Sequence, residues 1–210
     1  MPTIYRSICR PRIAFAVAAS IAAVAVIPAS AFAATTSFGS SLNHDPANAG
    51  SSCADNGLTG PTVCTHVGSF YPGTSGRAAA PVSGTITKIR LRAQGPSTMT
   101  FKVVQVRKVS ADHKHGQARA IVKSRVINVQ GPSQSDLDNG IYPVESFKVH
   151  LRVQKGQELA VDTASNTAEY CADGTPGQLL FDPTPAVGNG FRSAGGFDGC
   201  LMEIQGVISH

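Results

Sequence analysis

Two short clusters carry side chains able to hold a metal ion. In Asp112-His113-Lys114-His115-Gly116, the His-x-His spacing places both imidazoles on one face of a strand, where they can chelate a transition metal. The pair falls between two strand-like runs and beside a glycine, with no third ligand in reach of the pattern. A solvated hairpin tip is therefore the plainer expectation. Asp136-Leu137-Asp138-Asn139-Gly140 offers carboxylates at i and i+2 ahead of an Asn-Gly turn, the oxygen-rich chemistry that calcium takes. Glycine stands at the fifth place and no glutamate at the twelfth, so the EF-hand register is missed and an ordinary turn is expected. His66 and His150 remain as candidate general bases. The chain has no Gly-x-Ser-x-Gly elbow and no phosphate-cradling glycine motif, so neither a catalytic set nor a cofactor is expected.

Cationic side chains form a stronger pattern. Lys88, Arg90 and Arg92 alternate with apolar neighbours, and so do Lys148, His150 and Arg152. Between Arg77 and Arg125 eleven basic residues face one acid, Asp112, whereas between Glu158 and Glu203 seven acids face one base, Arg192. If the two alternating rows share a sheet, they make a basic face suited to an anionic polysaccharide or cell-wall polymer. The competing expectation is that the acidic C-terminal strands lie beside the basic ones and neutralise them, as surface ion pairs commonly do.

The first 33 residues read as an export signal. Arg6, Arg10 and Arg12 precede an apolar run from Ile13 to Ile27, and small residues at Ala31 and Ala33 follow Pro28. The run falls short of the roughly 20 apolar residues needed to span a bilayer, so cleavage and secretion are expected rather than stable membrane insertion. Three basic residues and no acid leave with the segment, so the net charge falls from +5 to +2. That removes the strongly basic balance expected of a nucleic-acid binder. Cys9 leaves too. Cys53, Cys64, Cys171 and Cys200 remain, an even number bound for an oxidising compartment, and two disulfides are expected. Three pairings are open; Cys53–Cys64 with Cys171–Cys200 is favoured because each closes a local, turn-rich loop.

The elements that must position these residues are strands. Residues 34–60, rich in Ser, Asn and Gly, read as a loop-like lead-in, and β-branched runs then recur between Gly/Pro/Asn/Asp clusters. Strands are predicted at 62–70, 83–93, 98–109, 119–130, 145–154, 157–163, 177–181 and 200–208. Phe147 to Val153 alternates without a slip, which predicts one buried and one wet face. The turn Gln154-Lys155-Gly156-Gln157 then predicts a β-hairpin with the next strand. Ile86 falls out of phase with Ile89 and Leu91, predicting a bulge near Thr87. Phe101 and Val103 lie on one parity and Val104 and Val106 on the other, the pattern of a strand covered on both faces. The whole predicts one all-β domain over 61–210, a β-sandwich or jelly roll.

On these residues the chain resembles a β-sandwich module of exported actinobacterial proteins. The resemblance rests on Ala80-Pro81-Val82-Ser83-Gly84 with its basic strand, on Phe101 to Arg107, on Phe147 to Val153 followed by Lys155-Gly156-Gln157, and on Phe181-Asp182-Pro183. It covers about residues 79–208, with Gln157 where the module more often carries aspartate. It implies a fold and a compartment and transfers no active site. Three roles follow as expectations: a secreted non-catalytic module binding an anionic polymer, a metal-dependent secreted enzyme built on His113 and His115, or a purely structural surface domain. The chain lacks tryptophan, and its only tyrosines past the signal are Tyr71, Tyr142 and Tyr170, which argues against a sugar-stacking platform. A hydrogen-bonding loop site over residues 182–199 is a further expectation.

Overall fold

Alternation of apolar and polar residues is carried directly into paired strands in the computed structural model, which describes residues 34–47, 63–164, 167–171 and 177–210. In chain order the elements are β1 (Thr35–Ser40), β2 (Cys64–Gly68), β3 (Gly76–Arg77), β4 (Gly84–Leu91), β5 (Ser97–Arg107) and β6 (Gln117–Val129). They continue with α1 (Gln134–Asp138), β7 (Glu145–Val153), β8 (Glu158–Thr163), β9 (Glu169–Cys171) and β10 (Gln178–Phe181). Last come β11 (Arg192–Ser193), β12 (Gly196–Asp198), β13 (Cys200–Met202) and β14 (Ile204–Ser209). All pairings between these strands are antiparallel.

Two sheets make the sandwich-like body. One has the order β3-β1-β14-β4-β7, the other β11-β6-β5-β8-β2-β10-β12, and β13 pairs β9 in a separate ribbon. Between the sheets Phe38, Ile86, Ile89, Leu151, Ile204 and Ile208 meet Met99, Phe101, Val103, Leu159 and Val161, all nearly inaccessible to solvent. Each such side chain contributes about 1.5–3 kcal/mol on burial. The other parity of β5 is covered as well: Val104 packs with Val67, Ala160, Leu179 and Phe181, with Val106 against their edge. The bulge at Thr87 is present as a register shift between Ile86 and Lys88 against β7, and it lets both Ile86 and Ile89 face the core.

Three expectations are corrected. Residues 35–40 are not part of a loop-like lead-in; they form β1, which pairs β14 from Thr35↔Ser209 to Gly39↔Gln205. The turn at 154–157 does not make a hairpin. Its strands part into opposite sheets, β7 pairing β4 while β8 pairs β5 and β2, so the turn is an arch over the sandwich edge. The reason is burial: Leu151 and Val153 on one side and Leu159 and Val161 on the other all point into the inter-sheet core, which a hairpin within one sheet would not fill. The predicted strand at 200–208 is broken at Glu203, with β13 leaving for β9 and β14 joining β4.

Candidate functional site: a basic groove between the sheets

Antiparallel register sets the basic rows side by side. Lys88 of β4 lies directly opposite Lys148 of β7, and His150 and Arg152 continue the exposed row along β7. Residues so paired have Cβ atoms only about 5 Å apart, and like charges there repel. Arg90 of β4 and Arg92, one residue past its end, are drawn off. Arg90 donates to Gln205 Oε1 at 3.0 Å, and Arg92 is ion-paired with Asp45.

The opposite sheet supplies two more cations. A groove runs between β6 and β7, lined in one stretch by Arg125, Val126, Ile127 and Asn128 with Ser146, Phe147 and Lys148. Its continuation is lined by Lys123, Ser124 and Arg125 with Lys148, Val149 and His150. Lys123 and Arg125 are exposed. Their contribution was visible only as charge in the sequence, because two register shifts between β5 and β6 disturb the phase that would have assigned them to a face. Among the described residues no ion pair engages Lys88, Lys123, Arg125, Lys148 or Arg152.

Five of the seven acids between Glu158 and Glu203 are spent elsewhere. Glu169, Asp198 and Glu203 are buried, and Asp162 pairs with the buried Lys102 at 2.7 Å. Glu158 is taken out of water as well, and burial pushes its carboxyl up to about 8. None of these five is ion-paired with the basic row among the described residues.

The metal-ligand candidates stay apart. His113 sits at the β5–β6 hairpin tip with φ +58°, its ring stacked on Phe70, while His115 is exposed. Asp112 closes that tip by accepting from Ser110 Oγ and from Lys114 N. Asp136 and Asp138 lie in α1 rather than in the turn expected there. Ser133 caps the helix, and the Asp136 carboxylate accepts from Ser133 N at 3.0 Å and Oγ at 2.6 Å, which holds it below the usual carboxylate range. Asp138 accepts from Gln134.

Of the two candidate bases, His150 is an exposed member of the β7 row and His66 is buried. His66 Nδ1 lies 3.1 Å from Gln178 Oε1 and 3.2 Å from Glu169 Oε1, and Nε2 lies 3.2 Å from Cys64 Sγ. A second histidine–carboxylate pair escaped the sequence reading because its members are 159 residues apart. His44 Nδ1 donates to the buried Glu203 Oε1 at 3.2 Å, stacked on Tyr170. Ser40 Oγ donates to Glu203 Oε2 at 2.7 Å. The carboxylate thus lies between serine and histidine, whereas activation of a serine requires the histidine in the middle. The arrangement ties the 41–46 segment to the body.

Cys171 and Cys200 are bonded, as expected, and lie directly opposite one another across β9 and β13. Cys64 is disulfide-bonded too, and Cys53 lies outside the described residues, as does the expected export signal at 1–33. No described helix is long and apolar enough to cross a membrane. In the 182–199 region, Phe191 is held by the guanidinium groups of Arg107 at 3.7 Å and Arg119 at 4.9 Å. No protein-family model, curated protein or solved structure matches the chain.

Proposed function

We propose that this chain is a secreted, non-catalytic β-sandwich module that binds an anionic polysaccharide or cell-wall polymer along the β6–β7 groove. The observation that carries the reading is the set Lys123, Arg125 and Lys148 along the groove, with Lys88 opposite Lys148 and Arg152 further along β7, none of them ion-paired among the described residues, while five of the seven acids between Glu158 and Glu203 are buried or paired elsewhere. Opposed lysines repel, and a polyanion laid along them removes that repulsion while releasing its own counterions. The disulfides and the N-terminal apolar segment support an oxidising destination.

Retention of the purified protein on immobilised dextran sulfate, measured against salt concentration, tests the reading. Binding is expected to fall steeply with salt, and the R125E/K148E variant is expected to lose at least tenfold in affinity. The charge-matched variant K108E/K114E, altered at the hairpin tip, is expected to lose much less. Equal losses from both variants, or no retention at low salt, would overturn the groove.

A further inference from the structure

We propose that Cys171–Cys200 is a redox-active disulfide that exchanges electrons with an external dithiol, with Cys171 the sulfur attacked and Glu169 the group that returns a proton to Cys200.

The two sulfurs stand in unequal surroundings. Cys171 is partly exposed, whereas Cys200 is 6% exposed. Glu169 precedes Cys171 by two residues, so both side chains leave the same face of β9. A carboxylate oxygen of Glu169 lies within 4.8 Å of both sulfurs. The carboxyl group is itself buried, and its two oxygens are used differently. Oε1 accepts from Gln178 Nε2 at 2.5 Å and lies 3.2 Å from His66 Nδ1, while Oε2 has no hydrogen-bond partner among the described residues. A buried carboxyl oxygen left unpartnered costs free energy unless it has a proton to hold or give. Burial pushes Glu169 above the ordinary glutamate range and Asp198 adds to this, against the opposing effect of its bonds to His66 and Gln178. The carboxylic acid form therefore persists to higher pH than in an ordinary glutamate. The sulfurs are bonded to each other, so the three groups are not a metal site in this state.

The exchange balances as follows. One thiolate of the dithiol attacks Cys171 Sγ, a new S–S bond forms, and the Cys171–Cys200 bond breaks with its electron pair on Cys200. Glu169 protonates that leaving thiolate and becomes a carboxylate that solvent later reprotonates. The second thiolate of the donor attacks the donor sulfur of the mixed disulfide and releases Cys171. The donor leaves as a disulfide, two electrons having passed to the protein. In the reverse direction the Glu169 carboxylate takes the proton from Cys200. The titratable groups facing Glu169 are His66 from β2 and Asp198 from β12, joined by Cys171 and Cys200 once their bond is open.

The test uses the full chain, with dithiothreitol as donor from pH 5 to 9. Samples are quenched by alkylation, and mass spectrometry follows the Cys171/Cys200 peptides separately from the Cys64 peptide. Reduction of Cys171–Cys200 is expected at least tenfold ahead of the disulfide of Cys64, which is fully buried. E169Q, which has no acidic proton to give, is expected to slow reduction at least tenfold at pH 7, with E169D retaining part of the rate. Equal rates at the two disulfides, or an unchanged rate in E169Q, would overturn the proposal. If E169Q does not fold, the wild-type profile decides. The rate per donor thiolate must fall as pH rises and Glu169 ionises, and a flat profile rejects the assignment.

Discussion

Glu158, Glu169 and Glu203 are carboxyls that the fold removes from water, and each meets that burial differently. Glu203 is compensated by Ser40 and His44, Glu169 by Gln178 and His66 on one oxygen, and Glu158 Oε2 has no partner among the described residues. For Glu158 the linkage has a definite sign. Its folded pKa of about 8 lies above the unfolded value, so the native state binds the proton more tightly. Stability is highest below about pH 4.5 as far as this residue is concerned, and falls as pH rises towards 8, by on the order of a few kcal/mol. Urea denaturation of E158Q at several pH values should show a shallower decline than wild type between pH 5 and 8; parallel curves would show that Glu158 is solvated. None of these burials was legible in the sequence, where all three residues counted only as negative charge. Exposure of Lys148, His150 and Arg152 was legible, because strict alternation over Phe147–Val153 leaves only one face for them. Arg90 and Arg92 obey the same alternation, but their partners Gln205 and Asp45 come from distant parts of the chain.

At the scale of elements, local pattern identified the long strands and long-range pairing made the short ones. The bulge at Thr87 and the two covered faces of β5 were readable because each is a matter of parity within one segment. β1 was missed because Thr35-Thr36-Ser37-Phe38-Gly39-Ser40 has one large apolar residue, and its strand conformation depends on β14, some 170 residues away. Gly39 shows how close that docking is. Its φ is +92°, and a Cβ there would stand 2.4 Å from Ile204 O. G39A is therefore expected to destabilise the protein by about 2 kcal/mol or more through backbone strain and loss of β1 pairing. An unchanged urea midpoint would mean that β1 contributes little to the body. The arch at 154–157 failed as a hairpin prediction for a related reason. Turn chemistry specifies a reversal of direction, but which sheet receives the next strand depends on where Leu159 and Val161 find their core.

Across the whole molecule, the uneven charge of the chain becomes a difference between outside and inside. Apart from the buried Lys102, the basic strands leave most of their cations on the surface and in the groove, while Glu169, Asp198 and Glu203 of the acidic segment are buried. The body is also closed on itself: Thr35 pairs Ser209, and His210 N donates to Ala34 O at 3.1 Å. Joining residues 34 and 210 by a short linker and reopening the chain at the exposed 111–115 tip should give a permutant with the wild-type circular-dichroism spectrum and a Tm within a few degrees of it. Loss of cooperative unfolding would show that the order of the strands along the chain is itself required. That closure also governs the response to force. Because the start of β1 and the end of β14 meet at the same end of their ladder, tension applied through the two ends of the body loads those hydrogen bonds one after another rather than together. A domain tethered at both ends would begin to peel at low load from this seam, with the core of β4, β5 and β8 exposed only after it.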